Sequence, residues 1–280
     1  MTKAEEPAKP VLRFWGVRGS TPTPSRENLG VGGNTSCVQL ETAETPVVIF
    51  DAGTGIRLLG EQLIKRAVGH PLEIHLLFTH FHRDHVLGLP FFAPLYDSRT
   101  SLTIYSSPFA APLCSSVAGV MKYPYFPVEF NSLPARIRLV DVTSSGVRVG
   151  RAEVEAFPVF HPQGACGYRI QVSGSTFIYV PDREPGDDKL DQTVREYARG
   201  ASLLIHDAQH TPEEYAIYRG RGHSSWSEAA SVASDAGVKR LVLFHHDPQH
   251  TDEVIARITA QAKRMFPDTE AAREGTSIEI

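Results

Sequence analysis

Phe78–His85 reads FTHFHRDH and places His80, His82, Asp84 and His85 within six positions. Imidazole nitrogen and carboxylate oxygen are ligands for divalent zinc, manganese or iron. His80 and His82 alternate at the end of an apolar run, so both side chains leave a strand on the same side. Asp84 and His85 follow in the turn, so the loop can serve two neighbouring sites, His80/His82 one and Asp84/His85 the other. Later apolar runs end the same way. EVEAFPVF leads to His161, TFIYVP to Asp182, and RLVLF to His245 and His246. Loops at strand ends are where sites are built. The set contains no thiolate. A carboxylate such as Asp182 can bridge two ions, and two ions about 3.5–4 Å apart can hold a hydroxide and clamp a phosphoryl oxygen. The chemistry indicated is hydrolysis.

The elements that position these residues alternate along the chain. Strands are predicted at Val11–Trp15, Thr35–Glu41, Pro46–Asp51, Glu73–Phe78, Leu102–Tyr105, Val147–Phe160, Gly167–Val172, Thr176–Val180, Leu203–His206 and Arg240–Phe244. Apolar spacing predicts helices over Ile56–Arg66, Val86–Leu95 (interrupted by Pro90), Pro112–Met121, Val194–Arg199, Trp226–Ala236 and Thr251–Phe266. An αββα four-layer sandwich, two sheets with outer helices, accommodates this many strands and helices. Residues 1–10 read as a flexible tail and residues 11–280 as one domain. The proline- and aromatic-rich stretch at about 91–142 reads as an elaboration over a pocket.

Composition excludes several classes. The net charge of -4 gives no basic footprint for long nucleic acid. No run approaches the ~18 apolar residues of a membrane span, and the polar N-terminus has no apolar signal region. Cys37, Cys114 and Cys166 are few, odd in number and widely spaced. Each reads as a small buried residue in a reducing cytoplasm.

THFHRDH resembles the HxHxDH signature of the metallo-β-lactamase superfamily. FWGVRGSTPTP, NTSCVQLE and VVIFDAGTGIRLL are similar to the N-terminal part of its ribonuclease Z-like branch. FPVFHPQGACGYRI, YVPDRE, LLIHDAQ, GHSSWSEAA and LVLFHHDP follow in that branch's order, so the likeness runs from about Val11 to about Pro248. It implies the αββα fold of that superfamily and two divalent ions, zinc first, with manganese or iron as alternatives. It implies one metal on His80, His82 and His161, a second on Asp84, His85 and His245, and Asp182 bridging. His245 matches the branch's last histidine by its offset from the strand, leaving His246 beside the ligands or facing substrate. His223 matches a histidine that assists the leaving group, and Asp207 stands where the branch has a glutamate partner. With these two, Asp84 completes the expected catalytic set.

The resemblance implies a dinuclear phosphodiesterase in which a metal-bridging hydroxide attacks and His223, oriented by Asp207, protonates the departing oxygen. Ribonuclease Z enzymes bind tRNA through a long basic, glycine-rich arm, and no such segment stands here. A small phosphodiester such as a cyclic nucleotide is therefore the expected substrate. Tyr123, Tyr125, Phe126 and Phe130 offer an apolar wall that could stack a base, set against ordinary packing. Arg18, Arg83 and Arg183 are candidates for phosphate contact. Asp51 reads as a loop-tying carboxylate, and His206 and His210 as packing or rim residues. Relatives in the branch are often homodimers. Two alternatives stand beside this reading: a lactonase or β-lactamase-like hydrolase that does not need His223, and a non-catalytic metal-binding nucleotide sensor.

Overall fold

The computed structural model describes residues 9–42 and 46–280. The expected tail therefore falls largely outside the described residues. The first half of the chain runs β1 (Val11–Gly16), β2 (Cys37–Glu41), β3 (Val47–Phe50), α1 (Ile56–Ala67), β4 (Leu72–Leu77), α2 (Arg83–Val86), β5 (Thr100–Ser106), α3 (Leu113–Val120) and β6 (Arg136–Asp141). The second half runs β7 (Val147–Val149), β8 (Ala152–Val159), β9 (Ala165–Val172), β10 (Ser175–Val180), α4 (Asp188–Ala198), β11 (Leu203–Asp207), α5 (Pro212–Tyr218), α6 (Trp226–Ala236), β12 (Leu241–Phe244), α7 (Asp252–Met265), β13 (Thr269–Ala271) and β14 (Ser277–Glu279).

The strands form two seven-stranded sheets, ordered β14-β1-β2-β3-β4-β5-β6 and β13-β12-β11-β10-β9-β8-β7. Their facing sides share one apolar layer. Phe50 of the first sheet lies with its ring centroid 5.4–6.2 Å from those of Tyr168, Phe177 and Tyr179 of the second. A second apolar layer joins the outer face of the first sheet to Ile56, Leu59 and Leu63 of α1. A third joins the outer face of the second sheet to Val194 of α4, Val232 of α6 and Ile258 of α7. The result is the four-layer αββα sandwich expected from the sequence. Strands such as LVLF in β12 are apolar throughout because both of their faces are covered.

Helix ends follow local chemistry. Thr251 caps α7 by accepting from Val254 N, and Asp252 and Glu253 at its start face Lys263 and Arg264 at its end, which suits the helix dipole. The expected helix over Val86–Leu95 does not form as one piece. α2 stops at Val86, and two 3-10 turns follow at Leu89–Phe91 and Ala93–Tyr96. Pro90 and Pro94 lack the N–H that a continuous helix requires. The predicted strand Val147–Phe160 is split into β7 and β8 by a turn at Gly150, whose φ is +57°. Cys37 and Cys166 are buried, whereas Cys114 is exposed on α3, contrary to its reading as a buried residue. Among the described residues no helix is long and apolar enough to cross a membrane.

Candidate metal centre

β3, β4, β5 and β6 run parallel, as do β10, β11, β12 and β13. β8 shares the direction of β10, because both pair antiparallel with β9. Carboxyl ends from both sheets therefore open onto one edge, where α/β folds commonly place sites. Asp51 follows β3, FTHFHRDH follows β4, His161 follows β8, Asp182 follows β10, and His245 follows β12. Asp207 closes β11.

The structure brings the expected residues into two adjoining groups. The ring nitrogens of His80, His82 and His161 form one, and Asp84, His85, Asp182 and His245 the other, with ligand atoms within 4.8 Å of one another in each. His161 Nε2 lies 3.0 Å from His82 Nδ1. Asp84 Oδ2 lies 3.0 Å from His245 Nε2. Asp182 reaches His85 Nε2 at 3.0 Å through Oδ2 and His245 Nε2 at 3.2 Å through Oδ1. Asp182 also groups with His161 and His223, so its carboxylate stands between the two sets.

The outer hydrogen bonds of the imidazoles test whether a cation fits. His161 Nδ1 donates to Gly222 O at 2.8 Å, and His245 Nδ1 to the Gln209 side-chain oxygen at 2.9 Å. His80 Nδ1 lies 3.2 Å from the Thr79 hydroxyl, itself held by Asp51. In the neutral tautomer each leaves Nε2 as a lone pair aimed inward. His245 Nε2 then faces two carboxylates, and His80 Nε2 is buried with no hydrogen-bond partner among the described residues. Asp182 Oδ2 approaches His85 without an aligned hydrogen bond. Lone pairs directed at one another in a buried space are what divalent cations resolve, and the nitrogen and oxygen donors suit them. Burial opposes charge on Asp84 and Asp182, yet the facing imidazoles hold both carboxyls well below the usual carboxylate range.

Asp51 ties this centre to the core. Its buried carboxylate accepts from Thr79 N at 2.9 Å, the Thr79 hydroxyl at 3.0 Å and Tyr179 OH at 3.0 Å, and lies 2.9 Å from His85 Nδ1. The last is a contact by distance without hydrogen-bond alignment. Asp51 and His245 both have left-handed backbone, at φ +58° and +60°, a strained conformation that recurs at functional sites. Removing the Asp51 carboxylate leaves buried donors unpaired. Asp51→Ala is expected to cost roughly 3–5 kcal/mol in stability. Denaturant unfolding in chelator, which separates this effect from metal binding, checks it.

His223 sits beside the two groups. Its Nδ1 is 3.0 Å from Asp207 Oδ2, and Asp207 also accepts from Arg183 N at 3.1 Å and Gln209 N at 3.0 Å. The shorter carboxylate of Asp207 thus still reaches the imidazole. Burial opposes a charge on His223, but Asp207 and then Asp182 raise its pKa to about 9. Glu184, absent from the expected set, organises this loop. Its carboxylate accepts from Gly220 N at 2.5 Å and Gly222 N at 2.7 Å, and Gly222 in turn orients His161. Gly222 has φ +96°, and a Cβ there would stand 2.6 Å from His161 Nδ1. Gln209 was likewise not singled out from the sequence, although it lies in the polar run directly after an apolar strand.

Two of the three candidate phosphate-binding arginines are buried elsewhere. Arg18 donates to the carbonyls of Gly32, Asp247 and His250. Arg183 pairs with Asp191 and Glu228. Both link distant segments of the chain, which explains full burial of a guanidinium. Arg83 is exposed at an apolar cavity of about 490 Å³ with Phe81, Phe91, Tyr125 and Phe126. Tyr123 and Tyr125 are exposed, while Phe126 and Phe130 pack against the outer core layer. His246 points away from the centre onto Ala272 O at 3.0 Å. His206 packs against Arg183. His210 is buried beside His223, and neither of its ring nitrogens has a hydrogen-bond partner among the described residues.

Comparison with known proteins agrees with this architecture. A family model described as "Beta-lactamase superfamily domain" matches residues 47–246. A ribonuclease Z of Gemmatimonas aurantiaca is 28% identical over 320 aligned residues, covering 96% of this chain and 96% of that protein. Because the chain has 280 residues, that alignment leaves segments of the relative with no counterpart here. Among solved structures, the metallo-beta-lactamase fold protein YhfI from Bacillus subtilis superposes with a TM-score of 0.71 at 18% identity, covering 98% of this chain and all of that one. A diphosphatase from the PhnP family superposes with a TM-score of 0.67 at 20% identity, covering 97% of this chain and 98% of that one.

Proposed function

Since the chain belongs to the beta-lactamase superfamily, we propose that it is a metal-dependent phosphodiesterase acting on a small phosphodiester, a cyclic nucleotide or a compound of similar size. The observation that carries this reading is the His223–Asp207 pair, set against Asp182 between the two groups of ligand-type side chains. In the reading, His80, His82 and His161 would hold one divalent ion, and Asp84, His85 and His245 a second, with Asp182 placed to serve as a ligand between the two sets. Zinc leads among the candidate metals, with manganese and iron compatible with the same donors. Two such ions, when bound, would supply Lewis-acid activation of water and charge neutralisation at the phosphoryl oxygens.

The chain's own contribution is proton placement. With Nδ1 engaged by Asp207, His223 keeps one tautomer and leaves Nε2 as the nitrogen free to serve a substrate, on a ring that lines the cavity beside the ligand groups. A proton held there can pass to an alkoxide as it leaves phosphorus, which removes the least stable product of diester cleavage. Asp207 is held by two backbone N–H groups, so its carboxylate does not swing away when the imidazole loses its charge.

Two features support a small substrate. The ribonuclease Z relative carries segments that this chain lacks, and the cavity at His223 is about 270 Å³. Turnover of bis(p-nitrophenyl) phosphate, p-nitrophenyl phosphate and a simple lactone by metal-loaded protein checks the reading. Preference for the diester is expected. Lactone opening without diester cleavage would overturn the assignment of His223.

A further inference from the structure

The cavity at His223 has a lining the reaction so far does not use. His210 is 3% exposed, faces this cavity, and has no hydrogen-bond partner at Nδ1 or Nε2 among the described residues. Burial of an imidazole without partners is costly, so the site is built for a group that supplies them. The nearest carboxylate, Asp247, stands 3.9 Å from His210 Nδ1, beyond hydrogen-bond reach. Burial lowers the His210 pKa, which favours the neutral ring with one donor and one acceptor.

The Arg221 guanidinium, which lines the same cavity, lies 4.5 Å above the Tyr218 ring and makes no ion pair among the described residues. Its place in the loop is fixed from both sides, because Glu184 binds the flanking N–H groups of Gly220 and Gly222. Tyr218 also packs against the His210 ring at 5.4 Å, so cation, aromatic and imidazole form one connected wall. Asp247 Oδ2 adds an acceptor, engaged only by a long 3.5 Å contact from the Gln209 amide.

The electrostatics decide what fits. A phosphate deep in the cavity would meet the Asp247 carboxylate. A hydroxyl both donates and accepts, so it can satisfy His210 and Asp247 together, while Arg221 donates to a further oxygen at the rim. The cavity also includes His223, the group placed at the departing oxygen. Resting on the phosphodiesterase reading above, we propose that His210, Arg221 and Asp247 form a subsite for a neutral, hydroxylated leaving group, the ribose of a nucleoside or a comparable sugar alcohol. This makes the enzyme selective for diesters whose leaving alcohol carries hydroxyls over simple aryl diesters.

The test compares uridine 2′,3′-cyclic monophosphate with bis(p-nitrophenyl) phosphate on metal-loaded wild type, His210→Phe and Arg221→Ala. Calorimetric binding of uridine 3′-monophosphate is measured alongside. Phenylalanine keeps a ring against Tyr218 while removing both nitrogens, and the exposed Arg221 can be truncated without a burial penalty if His210→Phe fails to fold. The expected result is that the ratio of kcat/KM for the cyclic nucleotide to that for the aryl diester falls about 10-fold or more in each variant, the size of one lost hydrogen bond. Equal losses on both substrates, or aryl cleavage by wild type without cyclic-nucleotide cleavage, overturn the subsite and leave the phosphodiesterase reading standing. If wild type cleaves neither, that reading falls and the binding measurement decides the subsite. Binding weakened about 10-fold by both variants sustains it, and binding that is absent or unchanged removes it.

Discussion

His223→Ala is expected to lower kcat for diester hydrolysis by roughly 10²–10⁴-fold, the range of a positioned general acid, while metal content stays at the wild-type level. The geometry separates the two readouts. His223 Nδ1 is committed to Asp207 at 3.0 Å and stands 3.7 Å from Asp182. The inward lone pairs of His80, His161 and His245 are set by Thr79, Gly222 and Gln209, none of which depends on the His223 ring. The loss should concentrate in kcat, because the proton is needed as the bond breaks and contributes little to the ground-state complex. Asp207→Ala should follow in the same direction with a smaller loss, since it removes orientation and leaves the imidazole. Elemental analysis beside steady-state kinetics checks both. Parallel loss of metal and rate in His223→Ala would mean that the residue is a ligand, and the acid role would fall.

Removal of divalent ions is expected to abolish diester turnover and to destabilise the fold at the same time. The centre gathers ligand-type side chains from both sheets, so cations held there would tie the two halves together. Restoring an ion at about 1,000 times its Kd should add about 4 kcal/mol to stability. For a chain of this size that corresponds to a rise in Tm of about 10 °C. Thermal unfolding of chelated and reloaded protein measures the shift. A Tm indifferent to zinc and manganese would argue that the clustered imidazoles are satisfied without metal.

Much of the centre could be read before any coordinates because its signal is local. FTHFHRDH follows a buried strand directly, and each later residue of the set stands at the end of an apolar run. The β-strand period then dictates which side chains share a face. His245 and His246 stand side by side after β12, and only the resemblance to the branch's last histidine singles out His245; the structure turns it into the cluster and His246 onto Ala272. Long-range partners were not legible. Arg18 and Arg183 look like phosphate contacts when only their neighbours in sequence are considered. Their carbonyl and carboxylate partners come from Gly32, His250, Asp191 and Glu228, segments that meet only after folding. Glu184 was overlooked for the same reason, since its role depends on the backbone of Gly220 and Gly222. One omission had a readable signal. Thr211, Pro212 and Glu214 form a capping box at the start of α5, and that pattern marks a helix start in sequence alone. The interruption after α2 was likewise written in Pro90 and Pro94.

The most direct test of the two-ion phosphodiesterase is a titration of chelated protein with zinc, repeated with manganese, while bis(p-nitrophenyl) phosphate hydrolysis is followed. Turnover should appear with added metal and level off at two equivalents per chain. Full occupancy by metal with no cleavage of this diester or of uridine 2′,3′-cyclic monophosphate would contradict the account at its centre.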